Sequence, residues 1–392
     1  MKVDRGSDPE QPGPSSSRLR AVDLGEPQQV PSLVLQVSPG GLEYAGGIGR
    51  MIGYMIDAWG NRRTHPDIRV LDSRGPGHIL LSPWHFARCL LTIAVMAPRR
   101  PLLHVHVAGR GSTIRKIILV HFARLLRLPI VLHLHDYNYR ESLQRFPKLI
   151  QLAARSMFRI SARILVLGQD DRDLVVTEIG VSPDRVAVIP NAVPAPPQKR
   201  RAAATNRPVQ ILFLGNPSRR KGLHDLIAAL AMNPLRSLEW RMSVAGGGND
   251  IGTFRELSRA AGLSDRISFT GWVDRGKTGA LLDSADIVVL PSYAEGMAMS
   301  ILEGMSYGLC IVCTPVGSLK EVIEDEVTGL VVQPGDIDQL SKALTRAVSD
   351  PALRVQLGSE AARVFANKFD AAHYPDRIGA IYHAALAATS VI

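Results

Sequence analysis

Glu295 and Glu303 stand eight positions apart in "PSYAEGMAMSILEGMSYG", residues 291–308, with only small and apolar residues between them. A carboxylate does little for a phosphate but accepts well from sugar hydroxyls. "DIVVLPS" reads as a strand, "YAEGMA" as a loop, and "SILEGMSYG" as a helix with Ile301, Leu302 and Met305 on its core side. Glu295 then sits at the carboxyl end of a strand, with Glu303 about two helical turns further on. Gly296 and Met297 offer N–H groups at the helix entrance, a natural place for an anion. Two acids flanking an anion site match a nucleotide-sugar: one acid for the ribose, one for the transferred sugar, phosphates between.

Other stretches offer complementary chemistry. "LFLGNPSRRKGLHDLI" runs from a strand into a helix and holds Lys221 in the connecting loop, a clamp for a diphosphate. It lacks the Walker order of glycine and lysine. "SPGGLEYAGGIGRMIGYM" places Gly46, Gly47 and Gly49 before a helix, either to admit a phosphate or to make a tight turn. Its spacing is not that of a dinucleotide fingerprint. "VLHLHDY" ends with His135, which can donate to a substrate hydroxyl or act as acid or base. His133 and His135 share one strand face, but no carboxylate or cysteine of matching spacing supports a metal. In "HVHVAGRGS", Arg110 and Ser112 are acceptor contacts, or Ser112 caps a helix start. Cys310 and Cys313 fall in an apolar run that reads as a buried strand, so they are expected to be structural.

These residues need a scaffold. Short β-rich runs alternate with helical patterns along the chain, at 32–37, 68–72, 102–107, 129–135, 163–167 and 185–190, and again at 209–215, 240–246, 266–271, 286–292, 310–314 and 329–332. Near-continuous apolar strands between helices predict parallel sheets covered on both faces. "VPAPPQKRRAAATNRP" (193–208) separates the two blocks as a linker. The expectation is an α/β chain of two Rossmann-like domains facing a cleft. Residues 1–31 form a disordered tail, 32–200 the first domain, 201–369 the second, and 370–392 a C-terminal helix that can pack on either domain.

Charge is uneven. Of 392 residues, the first 200 hold 27 Lys+Arg against 16 Asp+Glu, while the remainder hold 19 against 20. The basic half is either a solvated surface or faces something anionic. With 5% aromatics and no finger motif, nucleic acid is a poor fit. The tail lacks the apolar core of a secretory signal. No uncharged apolar run reaches the length of a spanning helix. Three cysteines, an odd and low count, suit a reducing compartment.

With these residues in place the chain resembles the retaining glycosyltransferases of family 4, which have the GT-B fold. The likeness covers roughly residues 33 to 385. It rests on "EGMAMSILE" between "VVLPS" and "MSYG", followed by "PVGSLKEVI" and "VTGLVVQPGD", and preceded by "VIPNAV", "LGNPSRRKG", "VAGGG" and "FTGWV". The resemblance implies that Glu303 holds the ribose hydroxyls and that Glu295 contacts the donor sugar, with Gly296 and Met297 near sugar or phosphate. Lys221 would bind the diphosphate, His135 would touch the donor sugar near the reacting carbon, and Gly47 and Ile48 would lie against the phosphates. One departure is Asn216, where the family commonly has Arg; Arg219 or Arg220 would have to supply the charge.

The resemblance further implies a metal-independent transfer with retained anomeric configuration, so the two D-x-D spellings at Asp171–Asp173 and Asp336–Asp338 are read as helix starts. The basic stretch from Arg140 to Arg163 would lay the first domain on anionic lipid, implying a lipid-linked glycan acceptor in polysaccharide biosynthesis. The protein is expected in the cytoplasm, peripheral on the inner face of the cell membrane. The rivals are a nucleotide-sugar epimerase on the same scaffold, a nucleic-acid-binding protein, and an inactive scaffold.

Overall fold

The computed structural model describes residues 30–42, 46–60, 62, 65–75, 79–198 and 207–390. The expected tail falls almost wholly outside the described residues, as does the middle of the linker.

The first sheet is built from β1 (Leu33–Ser38), β2 (Asp67–Asp72), β3 (Leu102–Val107), β4 (Ile130–Leu134), β5 (Arg163–Val166) and β6 (Val186–Val188). Its spatial order is β2-β1-β3-β4-β5-β6, all parallel. The second contains β7 (Val209–Leu214), β8 (Trp240–Ala245), β9 (Ile267–Gly271), β10 (Ile287–Leu290), β11 (Cys310–Cys313) and β12 (Leu330–Val331). Its order is β12-β11-β10-β7-β8-β9, again parallel. Each expected strand is present. The central ones are buried on both faces, which is why they read as continuous apolar runs.

The first domain carries helices α1 (Gly47–Gly60), α2 (Ser82–Met96), α3 (Gly109–Leu125), α4 (Tyr139–Gln144), α5 (Lys148–Ile160) and α6 (Gln169–Asp173). The second carries α7 (Leu223–Leu230), α8 (Ile251–Ala260), α9 (Arg275–Ser284), α10 (Met299–Ser306), α11 (Ile337–Ser349) and α12 (Pro351–Lys368). The last helix, α13 (Tyr374–Ser390), returns to the first domain and packs on α1, β4 and β5.

Strand parity separates the faces of the first sheet. Leu33, Leu35 and Val37 pack with residues of α2, α3 and α5. Val34, Leu102 and Val131 share a core with α1 and α13. Gln36, His104, His106 and His133 fall on that second face by period two. Each is fully buried, giving this core a polar stripe.

The strand order of each sheet reverses at a switch point, between β1 and β3 in the first and between β7 and β10 in the second, with the strands parallel throughout. The chain leaving these strands opens outward at the carboxyl edge, where doubly wound sheets bind ligands. Residues 39–42 and 46–47, 108–112, 215–222 and 291–298 occupy these four exits.

Candidate active site

Between the domains lies a cavity of about 1110 Å³. Gly46, Gly47, Arg50 and Tyr54 line it from the first domain; Asn216, Arg220, Lys221, Glu295 and Met297–Ser300 line it from the second. A second cavity of about 760 Å³, bounded by Gly248, Asp250 and Arg255, adjoins it. Asn216 and Trp272 border both.

The loop after β7 ends at Gly222, whose φ of +70° suits glycine. A Cβ there would meet the Pro291 carbonyl oxygen at 1.9 Å. This close approach lays the Lys221 loop on the loop after β10, and Tyr293 N–H donates to the Arg220 carbonyl across the seam at 2.8 Å. Lys221 Nζ then lies 2.7 Å from Glu295 Oε1, and Arg220 reaches the same oxygen at 3.3 Å. Ser292 Oγ also donates to it at 2.8 Å. Arg220 further donates to the Ala294 carbonyl and lies over the Tyr137 ring. A carboxylate, two cations and a hydroxyl thus converge within one domain.

The helix carrying Glu303 begins at Met299, with Ala298 as N-cap and no side chain capping it. Its first N–H groups belong to residues that line the cavity, rather than to Gly296 and Met297 as the sequence suggested. Those two instead seal the inter-domain seam. The Met297 carbonyl accepts from Asn191 Nδ2 at 3.1 Å, and the Gly296 carbonyl from Ser318 N–H at 2.9 Å. A Cβ on Gly296 would lie 3.1 Å from the His135 carbonyl oxygen. Gly304 lets α10 settle on its sheet, since a Cβ there would lie 2.8 Å from Ile311 Cδ1.

Glu303 is the fifth residue of α10, one turn in rather than two, and is 4% exposed. Its Oε1 pairs with Arg50 and accepts from Tyr54 OH at 3.1 Å. Its Oε2 is buried with no partner. Arg50 and Tyr54 line the cavity, and Glu303 sits next to the wall they form. Sequence reasoning gave neither residue a role. The signal was present, because Arg50 follows directly on the glycine loop and falls one turn before Tyr54 on the same helix face. Across the same gap Arg275 meets Asp57 at 2.6 Å and covers the Tyr54 ring.

Gly47 begins α1 and faces Met299 across the cavity, a Cβ there lying 3.7 Å from Met299 Cγ. Ile48 is partly buried and packs on the core. Asn216 lies beside Gly248, whose Cβ would strike its Oδ1 at 2.1 Å; Arg220, not Asn216, carries charge to this corner. His135 is half-buried at the base of the inter-domain seam, with its ring directed into the polar stripe: Nε2 lies 2.9 Å from His106 Nδ1. Burial lowers its pKa to about 3, so the ring is neutral at neutral pH, with one of its two nitrogens protonated.

Arg110 and Ser112 do not line the cavity. Arg110 lies over the Phe146 ring, and Ser112 is buried. Ser112 is not the helix cap either: α3 starts at Gly109, and Ser112 Oγ, inside its first turn, accepts from the Ala108 N–H at 3.2 Å. The cysteines are free and buried, and burial raises Cys310 and Cys313 to about 12. Three positions apart on one strand, their sulfurs point to opposite faces. Asp336 caps α11 by accepting from Gln339 N–H, as expected of a helix start, and Asp171 and Asp173 lie within α6.

Two family models match the chain. "Glycosyl transferase 4-like domain" covers residues 28–192 and "Glycosyl transferases group 1" covers 196–364. The chain belongs to the family 4 glycosyltransferases. It is 27% identical to the alpha-D-kanosaminyltransferase of Streptomyces kanamyceticus over 71% of this chain and 76% of that protein. It is 25% identical to the UDP-Gal:alpha-D-GlcNAc-diphosphoundecaprenol alpha-1,3-galactosyltransferase of Escherichia coli over 72% and 74%. Among solved structures it resembles Anabaena Alr3699/HepE in complex with UDP and glucose, with TM-score 0.71, 18% identity, and 90% and 99% of the two chains covered. The two-domain GT-B fold is therefore that of a family 4 glycosyltransferase. Among the described residues, no helix is long and apolar enough to cross a membrane.

Proposed function

We propose that this glycosyltransferase moves a sugar from a nucleotide-sugar to a hydroxyl of a glycan acceptor with retention of anomeric configuration. The observation that carries the reading is the convergence of Lys221, Arg220 and two helix N-termini, those of α1 and α10, on one cavity. A diphosphate placed there would draw Lys221 from Glu295, freeing that carboxylate to accept from a hydroxyl of the donor sugar. We assign the buried, unpartnered Oε2 of Glu303, behind the wall formed by Arg50 and Tyr54, to a ribose hydroxyl. Trp272, exposed where the two cavities join, offers a ring face to the base.

The acceptor hydroxyl attacks the anomeric carbon on the face from which the diphosphate leaves. The carbon–phosphate-oxygen bond breaks as the new glycosidic bond forms, and the acceptor proton passes to the departing phosphate oxygen. Lys221, Arg220 and the α10 N-terminus stabilise the charge on that leaving group. This assigns the work of a metal to fixed cations, so chelation with EDTA should leave the rate unchanged.

We further propose a lipid-linked acceptor, with the first domain peripheral on the inner face of the cell membrane. The E. coli relative supports a lipid-linked acceptor, since its name gives a diphosphoundecaprenol-linked sugar as substrate. On the chain itself, α2, α3 and α5 adjoin and leave Trp84, Leu91, Val95, Ile118, Leu149 and Leu152 exposed. The arginines first assigned to the surface are partly spent on the protein: Arg140 pairs with Glu178, and Arg155 and Arg159 bond carbonyls near it. Apolar insertion therefore contributes beside charge.

Thermal-shift screening against UDP-, GDP- and ADP-sugars, followed by product analysis with the stabilising donor, tests the transfer. An altered sugar without transfer would point to an epimerase. Flotation with anionic vesicles at low salt tests the membrane surface, and a protein that stays at the bottom counts against it.

A further inference from the structure

The polar stripe behind His135 forms a chain of hydrogen bonds whose directions follow from the orientation of the Gln36 amide. It starts at Gln36, buried in the middle of β1. Met55 Sδ lies 3.8 Å from one end of the Gln36 amide. The amide NH2 lies on that side, where sulfur is a weak acceptor, and the carbonyl Oε1 faces His106 Nε2 at 2.7 Å. A carbonyl only accepts, so His106 carries its proton on Nε2 and leaves Nδ1 bare. His106 Nδ1 is 2.9 Å from His135 Nε2, which must then be the donor.

The rings are neutral. Burial lowers His104 and His135 to about 3 and holds His106 and His133 well below the usual histidine range. A neutral His135 protonated on Nε2 has a bare Nδ1. The other branch is consistent. Gln36 Nε2 donates to Tyr382 OH at 2.9 Å and faces His104 Nδ1 at 3.2 Å, and Tyr382 OH donates to the same nitrogen at 2.8 Å. His104 Nε2–H then donates to His133 Nδ1 at 3.2 Å, and the chain ends at His133 Nε2, which has no partner.

Ring nitrogens of His104, His106 and His133 gather within 4.8 Å, close enough to suggest a metal. Their bonds argue otherwise. Every nitrogen of the three except His133 Nε2 is already paired, and the His104 and His106 rings stack at 4.5 Å with planes 22° apart instead of converging on one point.

We infer that Gln36 is a positioning residue: acting through His106, it fixes His135 as the Nε2–H tautomer, so that His135 offers the donor sugar a lone pair and not a proton. Tyr382, brought from the C-terminal helix, holds the Gln36 amide in the required orientation. The inference rests on the reading that His135 contacts the donor. It gives that contact a direction, since the sugar must present a hydroxyl there as hydrogen-bond donor.

The test uses the full chain labelled with 15N-histidine, with His135 assigned by its loss in His135→Gln. Nitrogen shifts distinguish the two tautomers without any substrate. Wild type should show His135 protonated on Nε2. Gln36→Leu should mix or reverse the tautomer and lower kcat by about 10-fold, the scale of losing an outer hydrogen-bond partner, with donor KM within about 3-fold. Activity is read as nucleoside diphosphate release from whichever UDP-, GDP- or ADP-hexose gives the largest thermal shift. Gln36→Glu, which still accepts from His106, should restore the tautomer. Tyr382→Phe, a milder change if Gln36→Leu folds poorly, should shift the tautomer in part.

A folded Gln36→Leu with unchanged His135 nitrogen shifts would overturn the inference. So would altered shifts with full kcat when His135→Gln itself loses activity, or a stoichiometric zinc ion lost on His104→Gln. If His135→Gln keeps full activity, the donor contact fails, whatever the tautomer.

Discussion

Glu295 and Glu303 meet their cations in different ways. Lys221, Arg220 and Ser292 reach Glu295 from the two loops beside the β7–β10 switch, within one domain. Glu303 is bonded by Arg50 and Tyr54, both on α1 of the other domain. The first cluster is complete once the second domain folds. The second exists only while the domains hold their present relation. One end of the proposed donor site is therefore built in advance, and the other depends on closure.

The largest effect should come from the preformed cluster. Lys221→Met should lower kcat/KM by about 10²–10³-fold, the scale of removing one charge-stabilising donor. A loss under 10-fold in steady-state assays would remove Lys221 from the diphosphate. The cross-domain cluster should act on binding. Glu303→Gln and Arg50→Met should each raise donor KM by roughly 10-fold, and the pair should couple by about 1 kcal/mol in a double-mutant cycle. Arg50 and Glu295 should add independently. Strong coupling there would erase the distinction between the clusters.

The buried histidines distinguish the domains by pH. The unfolded chain protonates near pH 6.5, whereas folded His104 and His135 do not until about 3. Stability present above pH 6.5 is thus lost progressively as pH falls towards 3, by up to about 1.4 kcal/mol per ring for each pH unit. Melting curves between pH 7.5 and 5 should show the first domain failing first, while added salt at pH 7.5 should weaken only the charged pairs. The smallest effect should be that of Arg275→Ala. Its pairing with Asp57 is more than half exposed on both sides, so the change should cost under about 1 kcal/mol and shift donor KM less than 3-fold.

Much of this was legible in the sequence because it depends on local pattern. Buried parallel strands announce themselves as apolar runs, and the strand-to-helix exits carry Lys221, Glu295 and Gly47 wherever the chain goes next. Partners from distant segments were not legible. Arg50 is 253 positions from Glu303, and nothing in either stretch names the other. The polar stripe was half-visible: His104 and His106, like His133 and His135, alternate at period two. Joining them required the β1-β3-β4 order, and closing the chain required Tyr382, which lies 346 positions from Gln36. Ser112 misled because a serine after glycine looks like a cap, whereas its hydroxyl is used one turn inside the helix.

The return of α13 governs how this enzyme can be taken apart. A fragment stopping near residue 200 would lack Tyr382 and Tyr374, both sealed against the first domain's core, and would open the histidine stripe to water. The amino-terminal module is therefore finished by a helix that the chain reaches only after the whole second domain. Dissection into halves, or a chimera that exchanges first domains, must move the closing helix together with the piece it covers.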